Sequence, residues 1–235
     1  MASAQGATRV PSDTQQVGAK LTDVGPFKRE DLSTYLTRVK KDIAFFLADP
    51  PTGIFIAPYE KDIANIHALV MGPSGTPYED GFFEFLIRCP VEYPMKPPIV
   101  EFLTTDSGRV TFNPNLYSCG YVSLEILGAG WSPTNSARNY KAFVEHETIR
   151  VAVCDAVAAC LSETSTLPAT LRDVVLKKFL ECYDRYEAAV KSKLDLSGKE
   201  MPKTYFYLKG TFEYAELLTR LRDLKQRVAE HARRQ

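Results

Sequence analysis

The 235-residue sequence predicts an α+β fold: one N-terminal helix, a four-stranded antiparallel meander sheet, then helices to the C-terminus. Three observations carry that expectation. Helical apolar spacing ends at Pro50-Pro51 and gives way to short apolar runs. Those runs are joined by links too short for a crossover helix, which argues for antiparallel neighbours. Beyond Tyr140 the apolar residues return to helical spacing.

Residues 1–27 mix Ser, Gln, Gly, Thr and Pro without periodicity and read as a disordered tail. Leu32, Tyr35, Leu36, Val39, Ile43, Phe46 and Leu47 then follow helical spacing. Arg38, Lys40 and Lys41 lie on that helix's other flanks, either as a solvated face or as a docking face. Strands are expected at Ile54–Ile56, Ile66–Met71, Phe82–Ile87 and Ile99–Leu103. Pro90, Pro94, Pro97 and Pro98 force an extended segment before the last of them.

In the C-terminal half, Ile149, Ala152, Val153, Ala156, Val157, Cys160 and Leu161 share one helical face. Leu171, Val174, Val175, Phe179, Cys182, Tyr183, Tyr186 and Val190 share another. A link over Ser197–Gly210, in which Met201–Tyr207 fits a loop or a short strand, leads to a final helix carrying Tyr214, Leu217, Leu218, Leu221, Leu224 and Val228. The expected division is a tail over 1–27, a core over 28–162 and a helical extension over 163–235.

Lys+Arg equals Asp+Glu at 29 each, so no global field points to nucleic acid or a membrane surface. No apolar run approaches the ~20 residues that span a bilayer, and the start lacks the apolar core of a signal peptide. Cys89, Cys119, Cys154, Cys160 and Cys182 form no CxxC pair, so no zinc site is expected. Without an export signal, reduced thiols in the cytosol or nucleus are the natural expectation.

Several segments stand in a telling order. Pro77-Tyr78-Glu79 and Gly81-Phe82-Phe83 link the second and third strands. Tyr93-Pro94-Met95-Lys96-Pro97-Pro98 follows, then Phe112-Asn113-Pro114-Asn115, then Trp131-Ser132-Pro133. Together they resemble the ubiquitin-conjugating enzyme family, with its YPxxPP loop, its HPN turn (Asn113 replacing the His) and its WSP loop. The Asn-Pro-Asn form, with His146–Asp155, Phe179–Asp184 and Gly210–Tyr214, resembles the Z-type branch, so the likeness covers almost everything after the tail. His146-Glu147 also invites a metalloprotease reading, but Arg150 occupies the position of the second zinc-binding His.

The resemblance implies a nucleophilic cysteine eight residues after Asn115, and that residue is Ser123. A cysteine with a pKa of about 8.5 keeps some thiolate at neutral pH. A serine hydroxyl needs a neighbouring base, and none of His67, His146 and His231 lies near Ser123 in sequence. An oxyester on Ser123 would pass its acyl group to lysine far less readily than a thioester. Asn115 takes the family's oxyanion-stabilising position, or serves only as a turn residue. Cys119 is a distant substitute nucleophile, up to ~13 Å away along the chain. A second departure follows Trp131: the family's long crossing helix has no counterpart before Tyr140. Either the helix over Glu145–Leu161 slides onto the sheet, or an apolar sheet face stays open.

Three readings follow: an active enzyme, through Cys119 or a native Cys at 123; a catalytically impaired binding module, which the two departures favour; and a degenerate copy. The resemblance implies ubiquitin or a ubiquitin-like protein, an activating enzyme and a ligase as partners. Arg38, Lys40 and Lys41 would face the activating enzyme. Met95, Lys96 and Pro97, with Trp131, Ser132 and Pro133, would face the ligase. ATP is consumed upstream, so neither cofactor nor metal is expected.

Overall fold

The computed structural model describes residues 29–124, 137–162, 165–201 and 210–234. The tail expected over 1–27 lies outside the described residues, as do Trp131, Ser132 and Pro133. The chain runs α1 (Arg29–Ala48), β1 (Ile54–Tyr59), β2 (Asp62–Met71), β3 (Phe82–Arg88), β4 (Ile99–Phe102), α2 (Ala137–Glu147), a π-helical stretch (Thr148–Asp155), α3 (Ala156–Cys160), α4 (Ala169–Lys191) and α5 (Tyr214–Arg234). A single 3-10 turn, Leu194–Leu196, follows α4.

The strands pair antiparallel in the order β1-β2-β3-β4, as the meander expectation required. Alternation of side chains along each strand gives the sheet two faces. Ile56, Ala68, Phe85 and Phe102 align on one; Ala57, Leu69 and Phe82 lie on the other. On the first face α1 seats Tyr35 and Val39 against Ala64, Cys89 and Tyr93. On the second, Ala57, Leu69 and Phe82 join one apolar cluster with Val153, Val157, Cys160, Val175 and Phe179. Glu84 is caught beneath this second layer, and burial raises its pKa.

Of the expected face over Ile149–Leu161, Ile149, Val153, Ala156, Val157, Cys160 and Leu161 do pack into the second-face cluster, and Ala152 alone turns to the other. The residues between Thr148 and Asp155 are π-helical, and nearly all are buried. The reason is position: this rod passes the β2–β3 end of the sheet and touches both faces. Phe143, Val144, Val151 and Ala152 pack with Phe83, Phe102 and Phe112, whereas Ile149, Val153 and Cys154 pack with the second-face cluster. A 3.6-residue stripe serves one apolar surface; this segment has two. The rod sits so close that a Cβ on Gly81 would come within 2.8 Å of Thr148 Cγ2, and Thr148 Oγ1 donates to the Pro77 carbonyl at 3.0 Å.

Of the two outcomes foreseen for the sheet, the rod therefore covers only one end of the first face. Between that end and α1 an apolar groove of about 340 Å³ stays unfilled by the described residues.

Candidate active-site hairpin

The chain after β4 is anchored by Phe112, which is fully buried among aromatic rings. Asn113 then closes a tight turn. Its side-chain carbonyl accepts from the Asn115 N–H at 2.9 Å, while its amide donates to the Tyr78 hydroxyl at 3.0 Å. Tyr78 in turn donates to the Phe112 carbonyl at 2.9 Å. Asn113 thus has a structural task in which both ends of the amide are used. Burial raises the Tyr78 pKa, the Asn113 contact partly opposing it, so the phenol stays a donor.

From this turn the chain folds into a hairpin. Leu116 bridges Val122, and Tyr117 N–H donates to the Tyr121 carbonyl at 3.0 Å. Gly120, at φ +89°, supplies the left-handed residue at the tip. The Gly120 carbonyl accepts from Phe102 N–H at 2.8 Å, which fixes the hairpin to β4. Ser123 N–H donates to the Asn115 carbonyl at 2.8 Å, so these two residues face each other across the ladder.

Ser123 is half-buried, and no described imidazole or carboxylate hydrogen-bonds its hydroxyl. His67 lies on the second sheet face and is bound to the Tyr59 hydroxyl. His146 is 1% exposed in the core. Cys119 is exposed, but at the hairpin tip, up to ~13 Å from Asn115 at strand rise. The other thiols are not competitors. Burial pushes Cys154 and Cys160 up to about 12 and raises Cys89 and Cys182.

The predicted docking residues fall on adjoining elements. Lys40 and Lys41 are exposed on α1, and Arg38 pairs with Asp42 at 2.8 Å. Asp42 also accepts from the Tyr93 hydroxyl at 2.7 Å, which ties α1 to the proline-rich loop. On that loop Met95 and Pro97 are exposed, and Lys96 pairs with Glu92 at 2.7 Å.

One cluster was not foreseen. His146 Nδ1 meets Glu147 Oε1 at 2.7 Å, and its Nε2 accepts from the Glu213 N–H at 3.0 Å. Because Nε2 is an acceptor, the proton sits on Nδ1 and is donated to Glu147. Arg150 reaches Glu147 at 2.9 Å and Asp106 at 2.6 Å. The network fastens the start of α5 and the loop after β4 to one buried point. Of this, sequence offered only the adjacency of His146, Glu147 and Arg150.

The comparisons with known proteins agree with this architecture. A sequence profile of the ubiquitin-conjugating enzyme family matches residues 38–144. Ubiquitin-conjugating enzyme E2 Z of Xenopus tropicalis is 39% identical over 233 residues, covering 84% of this chain and 73% of that protein. The chain belongs to the ubiquitin-conjugating enzyme family. The human E2 Z is 40% identical over 230 residues, 83% of this chain and 64% of that one. The likeness to Z-type members therefore runs through the C-terminal helices as well as the sheet. A crystal structure of a ubiquitin-conjugating enzyme E2 from Plasmodium falciparum is 28% identical, covers 46% of this chain and 77% of that one, and superposes at a TM-score of 0.37.

Proposed function

We propose that this chain is a ubiquitin-conjugating-enzyme-like protein whose catalysis is impaired and which acts as a binding module in a ubiquitin or ubiquitin-like pathway. The observation that carries this reading is Ser123. It is held by its main chain opposite Asn115, yet its hydroxyl meets no described base that could make it a nucleophile. Asn115 then acts as a turn residue, its oxyanion role having nothing to stabilise.

Binding needs no thiol. Lys40 and Lys41 with Arg38 form the surface offered to an activating enzyme, and Met95, Lys96 and Pro97 that offered to a ligase, with Trp131, Ser132 and Pro133 assigned to the same task. No cofactor or metal is required, and the protein works in the cytosol or nucleus. The test is competition: excess chain should slow the charging of an active conjugating enzyme by its activating enzyme. The double variant Lys40→Glu/Lys41→Glu should restore the rate. No slowing at saturating concentration contradicts the reading.

A second reading keeps turnover, with Cys119 as nucleophile or with a native Cys at position 123. The exposure of Cys119 on the same hairpin favours it; its place at the tip, away from Asn115, counts against it.

A further inference from the structure

We propose that α4 positions the Asn113–Ser123 hairpin, acting through the link between β2 and β3. Arg185 and Tyr186 of α4 hold Asp80 at one end of that link, and Tyr78, two residues away, holds the turn that leads to Ser123. This goes beyond the binding surfaces above and does not depend on whether position 123 turns over. At the α4 end, the Asp80 carboxylate receives Arg185 as a fork, Nε to Oδ2 at 2.6 Å and Nη2 to Oδ1 at 3.0 Å. The Asp80 main-chain carbonyl accepts from the Tyr186 hydroxyl at 2.8 Å. At the hairpin end, the Tyr78 hydroxyl donates to the Phe112 carbonyl at 2.9 Å and accepts from the Asn113 amide at 3.0 Å.

An exposed ion pair by itself would hold little. Three observations set this one apart. The Asp80 side chain is only 14% exposed, although that of Arg185 is 59% exposed. Tyr186 is 2% exposed and stacks on Phe179 with ring centroids 5.9 Å apart, so its hydroxyl is a fixed point of the core. Asp80 has a φ of +59°, a left-handed backbone that an aspartate adopts less readily than a glycine. Contacts to both its carboxylate and its carbonyl keep it in that conformation.

Between its two ends the link is too tight to absorb a displacement. Gly72 N–H donates to the Gly81 carbonyl at 2.9 Å, Asp80 N–H to the Gly72 carbonyl at 3.0 Å and Gly81 N–H to the Tyr78 carbonyl at 3.0 Å. A Cβ on Gly72 would lie 1.6 Å from the Tyr78 carbonyl oxygen, so the main chain of the link is packed directly against itself. Thr148 Oγ1 adds a hold at the Pro77 carbonyl. A shift of Asp80 is therefore passed to Tyr78 and on to Asn113, whose side-chain carbonyl carries the Asn115 N–H. A helix 105 residues beyond Asp80 thus sets the turn that faces Ser123.

The test is residue-resolved amide exchange of the full chain at neutral pH, read at Asn115, Leu116 and Ser123 in the hairpin and at Leu69 and Phe85 in the central strands. Tyr186→Phe removes one oxygen and Arg185→Met alters an exposed side chain, so the fold is kept. Each should speed exchange in the hairpin about fivefold or more and leave the strand amides unchanged. Arg220→Met, which breaks the Arg220–Asp155 pair between α5 and the π-helical stretch, should leave the hairpin rates as they are. In a Tyr78→Phe background, where the hairpin is already released, Arg185→Met should add nothing. Hairpin rates indifferent to both α4 variants overturn the proposal. So does equal acceleration of hairpin and strand amides, which is a loss of global stability alone. Acceleration of the hairpin by Arg220→Met, or a full Arg185→Met effect in the Tyr78→Phe background, also overturns it, by showing that the coupling does not run through Asp80 and Tyr78.

Discussion

The Ser123 N–H donates to the Asn115 carbonyl at 2.8 Å, which places these two residues opposite each other on one ladder. On the proposed reading this hairpin holds a Ser at the position where the family resemblance implies a thioester-forming Cys. What differs is one atom and its surroundings: an alcohol in place of a thiol, with no described base beside it.

That arrangement makes thiol chemistry diagnostic. Cys119 is the one exposed cysteine of the five. A maleimide reagent should modify native protein once per chain, at Cys119, and reach the remaining thiols only on unfolding. The modification is counted by mass spectrometry, with Cys119→Ala as the unlabelled control.

His146 should be a stability residue. His146→Ala removes the acceptor for Glu213 N–H and one of the two donors to Glu147, and leaves a hollow where a fully buried ring packs against Phe212 and Tyr214. The expected loss is roughly 2–4 kcal/mol in urea unfolding. The first effect should be loosening of α5, read as faster amide exchange over Tyr214–Leu224.

Acid should weaken the same cluster. Burial would raise the pKa values of Glu147 and Asp106, but hydrogen bonds from His146 and Arg150 to the first, and from Arg150 and Arg109 to the second, hold both below the usual carboxylate range. Groups with depressed folded pKa values contribute stability above their unfolded values, about 4, and lose it as the pH falls through the folded values. Unfolding free energy should thus drop steadily below about pH 5. Arg150→Met should lower stability at pH 7 and flatten that acid limb.

Gly81→Ala should be costly although the substitution is small. The added Cβ would meet Thr148 Cγ2 and Phe83 Cε2, each at 2.8 Å. A loss of about 1–3 kcal/mol is expected. Thr148→Ser in the same chain should recover part of it, since the clashing methyl is gone.

Most of the architecture was legible because it rests on period and punctuation. The stripe from Tyr35 to Phe46 gave α1, and the stop at Pro50-Pro51 gave its end. The tight links at Gly72-Pro73 and Pro77–Gly81 gave antiparallel order. The hairpin's Asn113 and Asn115 were found through their motif. The π-helical stretch was not legible, because burial on two sides erases the one-sided pattern that periodicity measures. The tie between Asp106 and Arg150 joins residues 44 apart in sequence, and no local pattern encodes it. Sequence posed the question of the uncovered sheet face as two alternatives; among the described residues, the path of Phe143–Cys160 past the sheet's end leaves the groove open.

On the proposed reading the scaffold is a conjugating fold without a working nucleophile. It is tested most directly by a charging reaction with ubiquitin, an activating enzyme and ATP, comparing the unaltered chain with Ser123→Cys and Cys119→Ala. The unaltered chain should form no thiol-sensitive adduct, and Ser123→Cys should form one. A thiol-sensitive adduct on the unaltered chain that disappears in Cys119→Ala would contradict it.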